Sequence, residues 1–211
     1  MEKNAVLDKI MNAAPVIPVV VIDEPESAVR LARALVSGGT PAIEITLRTP
    51  RALECLAAIA AEVEGALPGA GTVLTAQQYD AATRAGASFM VSPGFAPGLL
   101  DAADASAVPL LPGAATASEM MMLGERGYSR LKFFPASLAG GAAYLKALSL
   151  PLPQFTFCPT GGISLKTAPD YLALPNVACV GGSWLAPQAL VDAGEWGTIA
   201  DLAREAAALA Q

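Results

Sequence analysis

The sequence predicts an α/β fold, a (β/α)8 barrel of the TIM type preceded by a short N-terminal helix, and two observations predict it. Short runs rich in Val, Ile, Phe and small residues alternate along the chain with longer Ala/Leu-rich segments of helical spacing. Parallel neighbours need a crossover connection, so strand followed by helix, repeated, makes a parallel sheet. Eight such units can be counted in 211 residues, at the small end of the barrel size range. Periodicity leaves a doubly wound open sheet as a rival, and the unit count favours the barrel. Both architectures bind ligands at the carboxyl ends of the strands.

The elements follow in order. Glu2, Lys3, Asp8 and Lys9 among isolated apolar residues read as a short amphipathic helix, without the basic start and apolar centre of a secretory signal. Strands are expected at Val16 to Ile22, Ala42 to Leu47, Gly69 to Val73, Ser88 to Ser92, Val108 to Pro112, Arg130 to Phe134, Gln154 to Pro159 and Val177 to Gly181. The helices between and after them span Glu26 to Ser37, Arg51 to Val63, Ala76 to Ala85, Pro97 to Ala105, Ala117 to Arg126, Ala142 to Leu148, Leu165 to Leu172 and Gly197 to Leu209. Thr75, Thr116 and Ser164 stand before three of them as helix-start residues. No Ser/Gly linker, charge block or low-complexity stretch divides the chain, so residues 1–211 are expected to form a single barrel domain.

Composition removes several function classes. Apolar residues make up 54% of the chain, enough for a sizeable core. With 13 basic against 19 acidic residues, a reader of phosphate backbones is not expected, and no nucleic-acid partner is assigned. The longest apolar run, Ala13 to Ile22, contains two prolines and falls short of the roughly 18 residues that cross a bilayer, so no membrane partner is expected. The chain has no histidine, which excludes Ser-His-Asp triads, His-ligated metals and imidazole bases. Acid/base work falls to Glu, Asp, Lys, Tyr, Cys or water. Cys55, Cys158 and Cys179 form no Cys-x-x-Cys pair, so neither zinc knuckle nor disulfide framework is legible; core filling in a reducing cytoplasm fits them. Met120 to Met122, Trp184 and Trp196 are assigned to packing or a subunit contact.

On the second strand, alternation sets Ile43 and Ile45 on one face and Ala42, Glu44 and Thr46 on the other. With the branched pair against the helices, Glu44 points into the barrel near its carboxyl end, and Arg48 lies just beyond. A structural ion pair would explain Glu44 as well as catalysis does. The sixth strand places Lys132 among aromatic and aliphatic neighbours, where lysine is rare without a reason. Desolvation and the positive charge of Arg48 would favour a neutral amine there, as a Schiff-base nucleophile requires. The alternative is a lysine whose stem packs while its ammonium reaches water. Glycine pairs after the seventh and eighth strands, Gly161-Gly162 and Gly181-Gly182, suit the barrel's recurring phosphate site, with Ser183 adding a hydroxyl. On the third strand, Gly69-Ala70-Gly71-Thr72-Val73 permits close approach to a ligand carboxylate, with Thr72 expected on the same inward face as Ala70. Its glycine spacing does not match a dinucleotide fingerprint, so NAD is not assigned.

These segments, "EITLRT" around Glu44, "GAGTV" around Thr72, "SPG" at Ser92 to Gly94, "LKFFPA" around Lys132, "CPTGGI" around Thr160 and "VGGSW" around Ser183, resemble the bacterial 2-keto-3-deoxy-6-phosphogluconate (KDPG) aldolase family, whose members often also cleave 4-hydroxy-2-oxoglutarate. The resemblance runs from Val16 to Ala206. It implies a metal-independent class I aldolase without a cofactor, usually a homotrimer, in the Entner-Doudoroff pathway, with pyruvate and a phosphorylated keto acid as its small-molecule partners. By resemblance, Lys132 forms the Schiff base and Glu44 is the general acid/base. Arg48 and Thr72 bind the pyruvate carboxylate, Pro93 and Phe134 line the pocket, and Thr160 influences stereochemical preference. Gly161, Gly162, Gly182 and Ser183 cradle the phosphate.

Two positions depart from the family's common pattern: Ser137 stands where many relatives carry Glu after "FPA", and Pro15 where many carry a basic residue. The implied chemistry is condensation of Lys132 with the substrate ketone, removal of the C4 hydroxyl proton by Glu44 through a water, and protonation of the enamine at C3. Three alternatives compete. An epimerase-like barrel would use histidine-held metals, which this chain lacks. A non-catalytic sugar-phosphate sensor has no need of Lys132 in an apolar strand. The related 6-phosphogalactonate aldolases usually replace the Arg of "LRT", so Arg48 and Ser183 favour the gluconate substrate.

Overall fold

The computed structural model describes residues 2–209. Among the described residues nine strands form: β1 (Val16–Val20), β2 (Ala42–Thr46), β3 (Leu67–Gly71), β4 (Phe89–Val91), β5 (Leu110–Leu111), β6 (Gly113–Ala114), β7 (Arg130–Phe133), β8 (Thr156–Pro159) and β9 (Val180–Gly182). The helices are α1 (Glu2–Met11), α2 (Pro25–Ser37), α3 (Ala52–Glu62), α4 (Ala76–Arg84), α5 (Pro97–Ala105), α6 (Ala117–Glu125), α7 (Gly141–Leu148), α8 (Ala168–Leu172), α9 (Gln188–Ala193) and α10 (Trp196–Ala207). Every strand pair is parallel, in the orders β5-β4-β3-β2-β1-β9 and β6-β7-β8.

The two sheets are one barrel, joined at two seams. At the first, β5 and β6 are halves of the fifth barrel strand, divided at Pro112. Proline has no N–H for the ladder, yet its carbonyl still accepts from the Lys132 N–H at 2.9 Å. At the second, bridges between Phe157 and Val177 and between Thr160 and Gly181 connect β8 to β9. The closed circuit excludes the open sheet.

Alternation along each strand sorts the side chains into two cores. Ile43, Ile45, Met90, Leu131 and Phe133 face outward into the layer under the helices. Ile17, Ala42, Phe89, Val91, Leu111, Cys158 and Cys179 make a separate inner cluster, which Leu7, Ile10 and Met11 of α1 close at the amino ends of the strands. Asp8 fixes the helix there by accepting from both sides of the Arg130 guanidinium, with Nη2 at 2.9 Å. The cysteines are buried free thiols, as expected of core fillers. Burial pushes the Cys55 thiol up to about 11, and a hydrogen bond with Cys158 together with burial raises Cys179.

Several boundaries differ from expectation. β1 stops at Val20, because beyond it the chain rises past its neighbours and the Val20 and Ile22 carbonyls take the hydroxyls of Thr46 and Thr49 instead, at 2.9 and 2.7 Å. β3 runs two residues earlier than predicted and leaves Thr72 outside the strand. Thr75 and Thr116 cap α4 and α6. Ser164 instead opens a turn closed by Thr167, so α8 begins at Ala168 rather than Leu165. The unexpected α9 is short and follows Pro187, with too few residues to display a helical period. Met120 is buried in the core, whereas Met121 and Met122 are exposed.

Leu7 is 1% exposed and lies at the end of the barrel opposite the strand carboxyl ends. Leu7→Ala should therefore lower unfolding free energy by about 2–5 kcal/mol while leaving catalytic constants unchanged. Urea denaturation beside steady-state kinetics checks this, and a large fall in turnover at full folding would contradict the separation of the two ends.

Candidate active site

Glu44 and Lys132 sit on β2 and β7, the second and sixth of eight barrel positions, so they face each other across the interior. Their long side chains close the gap: Lys132 Nζ donates to Glu44 Oε1 at 3.0 Å and Oε2 at 3.2 Å. The side chains are only 7% and 5% exposed. In so dry a place each charge needs the other, since either one alone would carry its full desolvation cost. The anion beside Lys132 is thus Glu44 itself, in hydrogen-bond contact. Lys132 Nζ also lies 5.5 Å from the centroid of the Phe134 ring.

Above this pair a cavity of about 150 Å³ opens, walled by Arg48, Phe134, Thr160, Gly161, Gly162 and Ser183 together with Val19, Ile163 and Gly181. Six of the residues named from sequence therefore join Lys132 on one cavity wall. Arg48 Nε donates to Thr72 Oγ1 at 3.1 Å, which brings Thr72 to the same rim by a different route from the one expected. Ala70 lies in the outer core, and the inward positions of β3 are Gly69 and Gly71. Thr72 follows the strand with φ of 59°, and this left-handed turn sets its hydroxyl toward Arg48. A β-branched residue there costs on the order of 1–3 kcal/mol, a strain concentrated at functional sites.

Pro93 and Gly182 are not on the cavity wall. Pro93 borders a neighbouring hollow with Val73, Leu74 and Phe95, and its carbonyl lies against Gly113. On β9 it is Gly181 that faces inward, while Gly182 lies under the ring of Trp184. Alternation reverses the face at each residue, so a phase error of one exchanges the two glycines. The loops after β7 and β8 are tied together by Ala136 N–H to Thr160 O at 2.8 Å and Ser137 N–H to Gly161 O at 3.0 Å. Gly162 has φ of 71°, and a Cβ on it would fall 2.0 Å from Ser137 Oγ.

Sequence reasoning missed Val19 and Ile163 as wall residues, and it named Gly181 only as one of a glycine pair. The alternation that placed Glu44 could have found Val19, which pairs with Glu44 in the β1–β2 register. A hollow of about 310 Å³ between α1 and the Arg126–Tyr128 segment lies at the other end, and its charged groups satisfy one another: Arg126 binds Asp101 and Asp104, and Tyr128 binds Asp104. Among the described residues no group of three or more His, Cys, Asp or Glu side chains gathers to hold a metal ion.

Comparison with known proteins decides the family. A model of the KDPG and KHG aldolase family matches residues 7–202. The chain belongs to that family. The 2-dehydro-3-deoxy-phosphogluconate aldolase of Pseudomonas aeruginosa is 48% identical over 205 residues, covering 97% of this chain and 93% of that protein. The KDPG aldolase of Legionella pneumophila, solved with pyruvate captured as a covalent carbinolamine intermediate, superposes with a TM-score of 0.93 at 46% identity, over 95% of this chain and 98% of that one. The Zymomonas mobilis enzyme, solved with 3-phosphoglycerate, gives 0.92 at 45% identity, over 97% and 96%. These KDPG aldolases share the barrel closure described above.

The buried pair makes a stability prediction independent of activity. Glu44→Ala should cost about 3–5 kcal/mol, because it leaves the Lys132 ammonium buried without its partner. Adding Lys132→Met should restore much of that loss, by removing the unpaired charge while filling similar volume. Thermal or urea unfolding of the two variants decides it, and equal stabilities would mean that the pair is not the desolvated contact described.

Proposed function

We infer that this protein is a class I aldolase that cleaves 2-dehydro-3-deoxy-6-phosphogluconate to pyruvate and glyceraldehyde 3-phosphate, and that also cleaves 4-hydroxy-2-oxoglutarate to pyruvate and glyoxylate. The observation that carries this reading is the direct contact of a buried lysine and a buried glutamate at the floor of the cavity. Membership of the aldolase family and the carbinolamine held by the Legionella relative support it.

In the first step a proton passes from Nζ to the carboxylate across their hydrogen bond, which makes the amine a nucleophile and the glutamate an acid. The amine adds to the C2 ketone, the acid protonates the departing hydroxyl, and loss of water leaves the iminium. Glu44, again a carboxylate, takes the proton from the C4 hydroxyl. The C3–C4 bonding pair then flows into the iminium as an enamine, and the aldehyde departs. Glu44 returns its proton to C3, and hydrolysis frees pyruvate and Lys132. One base serves both faces of the cycle because the barrel holds it within reach of the same nitrogen throughout.

The remaining wall residues take the substrate's two ends. Arg48, oriented by Thr72, is assigned to the carboxylate. The phosphate is assigned to the opposite wall, where the backbone at Gly161 and Gly162 and the exposed Ser183 hydroxyl provide donors. Thr160 lies between the two ends, against Gly181, where it can meet the C4 substituents that distinguish epimers.

Reduction with borohydride in the presence of pyruvate should add one adduct per chain, at Lys132, and Glu44→Gln should keep that adduct while losing exchange of the pyruvate methyl protons by about 100-fold or more. An adduct at Lys146 or Lys166 would refute the nucleophile, and undiminished exchange would remove Glu44 from the chemistry.

The phosphate assignment is tested separately through Ser183. Ser183→Ala should lower kcat/KM for the phosphorylated substrate by about tenfold or more, the worth of one hydrogen bond to a charged group, and should barely change 4-hydroxy-2-oxoglutarate cleavage. Equal losses on both substrates would place the phosphate elsewhere. Gly162 is a poor probe, because a side chain there strikes Ser137 and disrupts the loop rather than the anion.

A further inference from the structure

We propose that Gly71 is a positioning residue for the proton transfer: the space left by its missing side chain is the seat that lets the Glu44 carboxylate reach Lys132. A Cβ built on Gly71 would lie 2.3 Å from Glu44 Oε1, 2.5 Å from Cγ and 2.8 Å from Cδ. Three successive atoms of one side chain therefore occupy the volume that any residue larger than glycine would fill. The backbone gives no competing reason for glycine. Gly71 is an ordinary strand residue in register with Thr46, and it is absent from the positive-φ positions where Gly161 and Gly162 appear. Alanine would suit its dihedral angles better than glycine does.

Nor is the rest of the contact shell responsible. The nearest atoms to the Cβ of an alanine at 71 are Glu44 side-chain atoms from Cγ to Oε1 rather than backbone, so the barrel can accept it by turning Glu44 to another rotamer. The Nζ–Oε distances of 3.0 and 3.2 Å cannot survive that turn, because Cγ itself must move. Gly69, two residues earlier on the same inward face, supplies a control. Its Cβ would strike the ring of Phe89, at 2.4 Å from Cζ and 2.5 Å from Cε1 and Cε2, before anything else. Crowding at 69 and at 71 thus loads the same strand, at 69 first against the Phe89 ring and at 71 first against the Glu44 side chain.

This inference rests on the assignment of Glu44 as the acid/base, and the experiment separates the two. Methyl-proton exchange of pyruvate and borohydride trapping are measured on wild type, Glu44→Gln, Gly71→Ala, Gly69→Ala and the Glu44→Gln/Gly71→Ala double variant. Gly71→Ala should still trap pyruvate at Lys132 yet lose exchange by about 30-fold or more, within the range of a displaced general base. Gly69→Ala should exchange near the wild-type rate despite a lower Tm. In the Glu44→Gln background the Gly71→Ala change should cost no further exchange, since the group through which it acts is already gone. Full exchange in Gly71→Ala, or a loss that multiplies with that of Glu44→Gln, overturns the proposal while leaving the Glu44 assignment intact. Wild-type exchange in Glu44→Gln overturns both. A second measurement stands if Gly71→Ala folds poorly. The Tm drop caused by Gly71→Ala should nearly vanish in a Glu44→Ala background, where the colliding atoms are missing. An equal drop in both backgrounds, or failure to fold in both, would make the glycine's role structural and end the proposal.

Discussion

Two charged side chains placed inside a barrel must find each other, and the contact between Lys132 and Glu44 is the constraint around which the carboxyl end of this molecule is organised. A buried ion alone would cost several kcal/mol, so the pair is stable only at hydrogen-bond distance and with little water between. Reaching that distance from opposite barrel positions takes two long side chains and empty space along their path. Among the inward glycines it is Gly71 that supplies the space beneath Glu44. A barrel interior filled uniformly with branched side chains would be a better core and could hold no such pair.

The two ends of the barrel have different duties as a result. At the amino end, Leu7, Ile10 and Met11 of α1 close an inner cluster of apolar residues and thiols, and Asp8 ties the helix to Arg130 at the start of β7. At the other end of that same four-residue strand lie Lys132 and Phe133, with Phe134 just beyond. Stability and chemistry are thereby separated along one strand by two residues, on the same inward face. On one side of the open top the loops are held to each other by backbone hydrogen bonds between residues 136–137 and 160–161 rather than by charged side chains.

Much of this was legible in the chain, and the parts that were not share a cause. The strand-helix period, the inward face of Glu44 and the oddity of Lys132 in an apolar strand are local facts, visible within a window of a few residues. Thr75 and Thr116 announced their helices because a cap acts on the next turn. Gly181 and Gly182 were harder to assign, since both fit the motif and only the phase of a three-residue strand says which faces inward. The fifth strand runs on past Pro112 to Ala114 because ladder pairing passes there from β4 to β7, and Thr72 leaves the third because the backbone turns left-handed after Gly71.

The sequence by itself determined the repeating unit, the exclusion of histidine chemistry and the residue types available to a Schiff-base site, because periodicity and composition are properties of neighbouring residues. The tertiary structure alone decided that the sheet closes, that Lys132 pairs with Glu44 beneath the cavity Arg48 also lines, and that Glu44 fills the space left at Gly71. Lys132 and Glu44 are 88 residues apart. The distance between their side chains is set by strand order, register and closure, which no local window contains.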